Sequence, residues 1–129
     1  MSGIAEIQLV DDGDAVFAIN GNTQIGQQLS IEETTIDPDG TGTLSYIWQS
    51  SSDGTTWTQI GSNAVYTLNS SEENKQVRTI LDYTDSQGFS ESVTTLSVDI
   101  PGIVPTLTSS SPADNSTAVL IAIFVNFKL

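Results

Sequence analysis

The chain has 129 residues, 37% of them hydrophobic, and carries 16 acidic against 3 basic side chains (Lys75, Arg78, Lys128), a formal charge of −13. That balance excludes nucleic acid as a partner, because such binding depends on Lys and Arg neutralising phosphates. It argues equally against an anionic membrane surface. Neither His nor Cys occurs, which removes disulfides, thiolate metal sites, the commonest general base and the Ser-His-Asp arrangement together.

In chain order, residues 4–10 read as a short strand, and Asp11, Asp12, Gly13 and Asp14 as an acidic linker. No basic and apolar leader precedes them, so an export signal for a secreted parent is expected outside this stretch. Residues 15–19 form an apolar run short enough to be a buried strand, with a turn at Asn20-Gly21-Asn22. A second strand covers 27–33. The segment Asp37-Pro38-Asp39-Gly40-Thr41-Gly42 is loop chemistry throughout, with Pro fixing φ and Gly relieving it.

Residues 43–60 predict two strands joined by a turn at Asp53-Gly54. Leu44, Tyr46 and Trp48 alternate with polar or smaller neighbours and define an apolar face centred on Trp48. Residues 64–68 are a short strand with Tyr66 and Leu68 on one face, and 69–74 a helical turn or loop. Over 75–84, Val77, Thr79, Leu81 and Tyr83 share one side; Arg78, Ile80 and Asp82 share the other. The chain turns at 85–88 and returns over 89–100. There the apolar positions slip from odd (Phe89, Val93) to even (Leu96, Val98), which predicts a bulge near Thr94 and Thr95.

About seven strands at regular spacing, with no convincing helix, make an all-β immunoglobulin-like antiparallel β-sandwich. The unit covers residues 13–101, close to the roughly 100 usual for that fold. Residues 1–12 read as a linker or the tail of a preceding repeat, and 102–129 as a linker with the truncated start of a following unit.

Several linked pieces carry a resemblance: the D-x-D-G-x-G loop at 37–42, S-Y-x-W-Q-S-S at 45–51, D-G-x-x-W at 53–57 and Y-T-D-x-x-G at 83–88. Together they resemble the tandem bacterial Ig-like repeats of very large extracellular proteins, often found beside cadherin-like modules. The resemblance implies a non-enzymatic structural or adhesive role at the bacterial surface, with neighbouring repeats of the same chain as partners. Two departures stand out: Thr79 occupies the second half of the Cys pair that Ig-like domains often keep, and Asn74 replaces a Gly. From Pro105, PTLTSSSPADNSTAV is similar to the opening of another bacterial Ig-like domain type. Residues 119–125 are continuously apolar, far short of the roughly 20 residues a membrane span needs.

The acidic residues concentrate by topology. Alternate loops of an antiparallel sandwich share a pole, so Asp11, Asp12, Asp14, Asp37, Asp39, Asp82 and Asp85 are expected at the pole where the chain enters. Seven carboxylates gathered there would repel one another unless hydrated or bridged, and Ca²⁺ bridges oxygen ligands well, taking about six to eight of them. The alternative is that these residues do turn chemistry and confer solubility. Trp57, beside a turn among Thr residues, is the candidate contact for carbohydrate or a cell-surface ligand. Ser and Thr are plentiful, but nothing nearby activates a nucleophile, so no enzymatic activity is expected. A phage or virion structural domain would share the same fold.

Overall fold

A computed structural model describes residues 9–103. The expected strand over 4–10 for the most part, and the apolar run at 119–125, lie outside the described residues.

Eight strands and one 3₁₀ turn follow in order: β1 (Val16–Gly21), β2 (Gln28–Thr35), β3 (Ser45–Ser51), β4 (Thr58–Gly61), β5 (Tyr66–Thr67), the turn Ser70–Glu72, β6 (Gln76–Thr84), β7 (Ser90–Thr94) and β8 (Val98–Asp99). They divide into two antiparallel sheets. One has the order β1-β2-β5; the other runs β4-β3-β6-β7, with β8 also pairing β6. This is the two-sheet division of an immunoglobulin-like sandwich. The seven expected runs become eight strands because the last run is broken in two.

The break is the bulge. β7 pairs β6 in a register that ends at Ile80 opposite Thr94, while β8 resumes with Val77 opposite Val98, one residue out of step. Thr95 N–H donates to the Thr79 carbonyl at 2.9 Å and still holds the first register, so the extra residue falls at Leu96–Ser97. Leu96 is thereby thrown outward and is 89% exposed, not on the core face that its apolar character suggested.

Trp48 lies at the centre of the core with no exposed surface, packed with Leu29, Leu68, Val77 and Ile100. Its ring stacks on Tyr66 at 5.8 Å between centroids, and its Nε1 donates to the Asn63 carbonyl at 2.7 Å. A buried aromatic of this size removes roughly 150–250 Å² from water, about 4–6 kcal/mol of transfer free energy at about 25 cal/mol per Å². Thr79, opposite Trp48 in the ladder, is fully buried and receives no disulfide. Its backbone N–H instead donates to Thr95 Oγ1 at 3.1 Å.

A second, smaller cluster of Ala15, Phe17, Leu81 and Tyr83 fills the other end of the sandwich. Residues 15–19 are not buried on both faces as expected. Ala15 and Phe17 point inward and Val16 outward, the alternation of a strand with one solvated face. At the exit end, Asn69 and Glu72 form a capping box around the 3₁₀ turn. Asn74 then takes φ 61°, the left-handed conformation that a Gly would adopt at no cost and Asn tolerates better than most residues.

Candidate metal centre

The second cluster is the floor of a polar pole. β1 begins there, β2 ends there, β3 starts there, and β6 and β7 meet there through the turn 85–89. Antiparallel alternation thus delivers three connections to one end: the lead-in segment 9–15, the loop 36–44 and the turn 85–89.

Hydrogen bonds lock these connections together. Tyr83, buried at the end of β6, donates its phenolic O–H to Asp37 Oδ2 at 2.6 Å and accepts from the Ala15 backbone N–H at 3.0 Å. Its ring packs edge-on against Phe17, and burial holds its phenol well above the usual tyrosine range. Asp37, 1% exposed, also accepts from Asp39 N–H at 2.7 Å. Asp39 accepts from the Asp12 backbone N–H at 2.8 Å and from Gln87 Nε2 at 2.7 Å. Asp85 Oδ1 accepts from the N–H groups of Gln87 and Phe89, both at 2.9 Å. Gly40, with φ +95°, sits so close to Ser86 that a side chain there would collide with it, and Ser86 N–H donates to the Asp39 carbonyl. Loop and turn are therefore in direct backbone contact.

Three overlapping groups of acidic side chains result: Asp11 with Asp85 and Glu91; Asp14 with Asp37 and Glu91; Asp37 with Asp39 and Asp85. Within each group, one oxygen from every member lies within 4.8 Å of the others. Two oxygens in the set receive no hydrogen bond from a donor group of the chain. Asp85 and Glu91 are 5% and 8% exposed, yet Asp85 Oδ2 and Glu91 Oε2 are buried and meet no donor. Hydrogen bonding to Asp14, then burial, then the nearness of Asp11 push the Glu91 carboxyl up to about 8. No counter-charge relieves the set among the described residues. Seven residues at about 3.3 Å of rise place Arg78 roughly 20 Å from Asp85, and Lys75 lies farther still, just before β6 begins at Gln76.

The chain matches no known protein family and no curated protein.

Of the seven acidic residues expected at this pole, five enter the cluster through their side chains: Asp11, Asp14, Asp37, Asp39 and Asp85. Asp12 contributes its backbone N–H instead, with its own side chain exposed. Asp82 is not part of the cluster. The strand period turns it to the outer face of its sheet, between Ser45 and Ser92 in the ladder. Glu91 was missed, although it lies between Phe89 and Val93 on the inward parity of the returning strand, opposite Tyr83.

An all-oxygen donor set with no nitrogen or sulfur ligand suits a hard cation such as Ca²⁺ or Mg²⁺. The buried oxygens that lack donors fit such an ion, since buried polar groups are ordinarily satisfied. The cluster could therefore hold a metal ion.

Trp57 lies elsewhere. It is half-buried, and the Arg78 guanidinium sits 4.1 Å above its ring centroid. Arg78 Nε is itself held by Gln49 Oε1 at 2.8 Å. One ring face is thus already stacked. No helix among the described residues is long and apolar enough to cross a membrane.

Proposed function

We propose that this chain is a non-enzymatic structural module of a bacterial extracellular protein, a β-sandwich repeat that binds Ca²⁺ at its entrance pole. The observation that carries the reading is the pair of donorless oxygens of the buried Asp85 and Glu91, inside a carboxylate cluster in which only Asp11 and Asp14 are exposed. An acidic group placed only for solubility would face water. Asp37, Asp39 and Asp85 belong to the sandwich, whereas Asp11 and Asp14 belong to the lead-in segment. A cation joining them fixes that segment to the domain, which is what an extended array of repeats needs at each junction. The structural or adhesive role and the location outside the cell rest on the motif resemblance and on the strongly acidic composition. The lack of His and Cys supports the non-enzymatic reading. A ligand role for Trp57 has less support, because the ring is half-buried and carries Arg78.

The test is thermal unfolding of chelator-treated protein with added CaCl₂. At a hundredfold excess over the dissociation constant, a one-site ion stabilises by about 2.7 kcal/mol, a rise in Tm of roughly 10–20 °C for a domain of this size. An unchanged Tm at millimolar Ca²⁺ would sink the reading.

A further inference from the structure

Gln87 in the β6–β7 turn is an unusual neighbour for a carboxylate cluster. Its Nε2 donates to Asp39 Oδ1 at 2.7 Å. A carboxylate oxygen without a proton accepts only, so this contact dictates which way the amide points. Its Oε1 is then turned to the interior, where it is buried and meets no donor. Both atoms sit on one carbon, so this orphaned carbonyl lies beside the group formed by Asp37, Asp39 and Asp85. Three donorless buried oxygens, Asp85 Oδ2, Gln87 Oε1 and Glu91 Oε2, thus come from a single hairpin.

We infer that Gln87 Oε1 is a neutral ligand of the cation bound at this pole, completing a shell otherwise built from carboxylates. The inference rests on the cation reading above and adds a residue that a search for acidic side chains does not find. Ca²⁺ accepts carbonyl oxygens of Asn, Gln and backbone alongside carboxylates. A neutral oxygen adds a ligand without adding to the repulsion among the acidic ones. The same side chain braces Asp39 through Nε2, and its backbone N–H braces Asp85, so one residue ties two ligands and supplies a third.

Terbium luminescence separates ligation from bracing. Tb³⁺ replaces Ca²⁺ at oxygen sites, Tyr83 lies close enough to sensitise it, and lifetimes in H₂O and D₂O count the waters on the bound ion. Gln87→Ala should raise that count by about one, as water takes the vacated position, and should weaken Ca²⁺ binding in competition. Gln87→Glu, which keeps an oxygen at the same reach, should return the count to the wild-type value. If Gln87→Ala leaves the count unchanged, or if both variants raise it alike, Gln87 only braces Asp39 and the inference is overturned. If wild-type protein binds no Tb³⁺, the cation reading fails with it. Cation-free melting of each variant establishes that it is folded before the count is taken.

Discussion

Asp53, in the turn that leaves β3, and Glu91, in β7, are carboxyl groups at opposite ends of the sandwich, and the chain treats them in opposite ways. Asp53 Oδ1 accepts from the backbone N–H groups of Thr55 and Thr56, both at 2.8 Å, and from Ser51 Oγ at 2.9 Å. Those donors, Thr56 first, hold its carboxyl well below the usual range. Glu91 receives no donor at Oε2 and faces Asp14 and Asp11 instead, which lifts it to about 8. The first is an acid that closes a turn. The second is an acid that no donor group of the chain reaches and whose neighbours are other carboxylates. Composition cannot tell them apart, because what differs is the set of donors pointed at each oxygen.

The largest test of this contrast removes each carboxylate in turn and follows cation binding. Glu91→Gln should abolish most of the Ca²⁺-dependent stabilisation of about 2.7 kcal/mol expected at a hundredfold excess of ion, while raising the stability of the cation-free protein. Asp53→Ser should lower the cation-free Tm yet leave the Ca²⁺-induced increment intact. Equal loss of the increment in both variants would mean that the poles are not distinct.

Next in size is Tyr83→Phe. The substitution leaves Asp37 Oδ2 and the Ala15 N–H without the partner that joins them, which costs about 1–3 kcal/mol for buried groups left unsatisfied. The ring and its packing on Phe17 are retained, so the loss reports the hydroxyl. Because Asp37 loses its brace, Ca²⁺ affinity should fall as well, measured by calorimetric titration. A stability loss with unchanged affinity would show that Tyr83 supports the fold and not the site.

The pH dependence of cation-free protein separates the two carboxyls by window. Glu91 is raised from an ordinary value of 4.5 to about 8, so between those values the folded chain keeps a proton that the unfolded chain has lost. Stability must then fall as pH rises through that window and level off above it. Asp53 is lowered, so its contribution is present above the ordinary carboxyl range and is lost as pH falls below it. Melting from pH 3 to 9 in chelator should show an acid arm removed by Asp53→Ser and a neutral arm removed by Glu91→Gln. A profile flat from pH 5 to 8 would contradict the Glu91 assignment.

Much of the fold was legible because strand alternation is a strong signal when one face is buried. Val77, Thr79, Leu81 and Tyr83 are all buried, as their parity requires, and the slip from odd to even positions after Val93 gave away the bulge. The pole was legible for a topological reason: antiparallel strands return every second loop to the same end. Three things escaped. Glu91 escapes a reading that follows only the apolar residues of its strand, though its parity matches theirs. Asp82 is near the turn, but its parity places it on the outer face. Gln87 carries no pattern at all, since only the direction of its amide against Asp39 makes the free oxygen conspicuous. Leu96 shows the converse, an apolar residue that a register shift has exposed.

The smallest expected effect lies on the outer face of the larger sheet, far from either carboxyl. Arg78 and Gln49 are cross-strand partners, and the guanidinium they hold in place covers Trp57. Cation–π contacts at partly exposed sites contribute about 0.5–1 kcal/mol. Arg78→Ala should therefore lower stability by no more than about 1 kcal/mol, and should leave Ca²⁺ affinity unchanged, since roughly 20 Å of strand separates it from Asp85. The variant also uncovers the indole face that a sugar would need. If Trp57 is a ligand contact masked by its neighbour, Arg78→Ala should gain glycan binding on an array relative to wild type and lose it again when Trp57→Ala is added. If binding appears in neither protein, Trp57 is a packing residue held by Arg78, and the carboxylate pole is left as the functional end of the module.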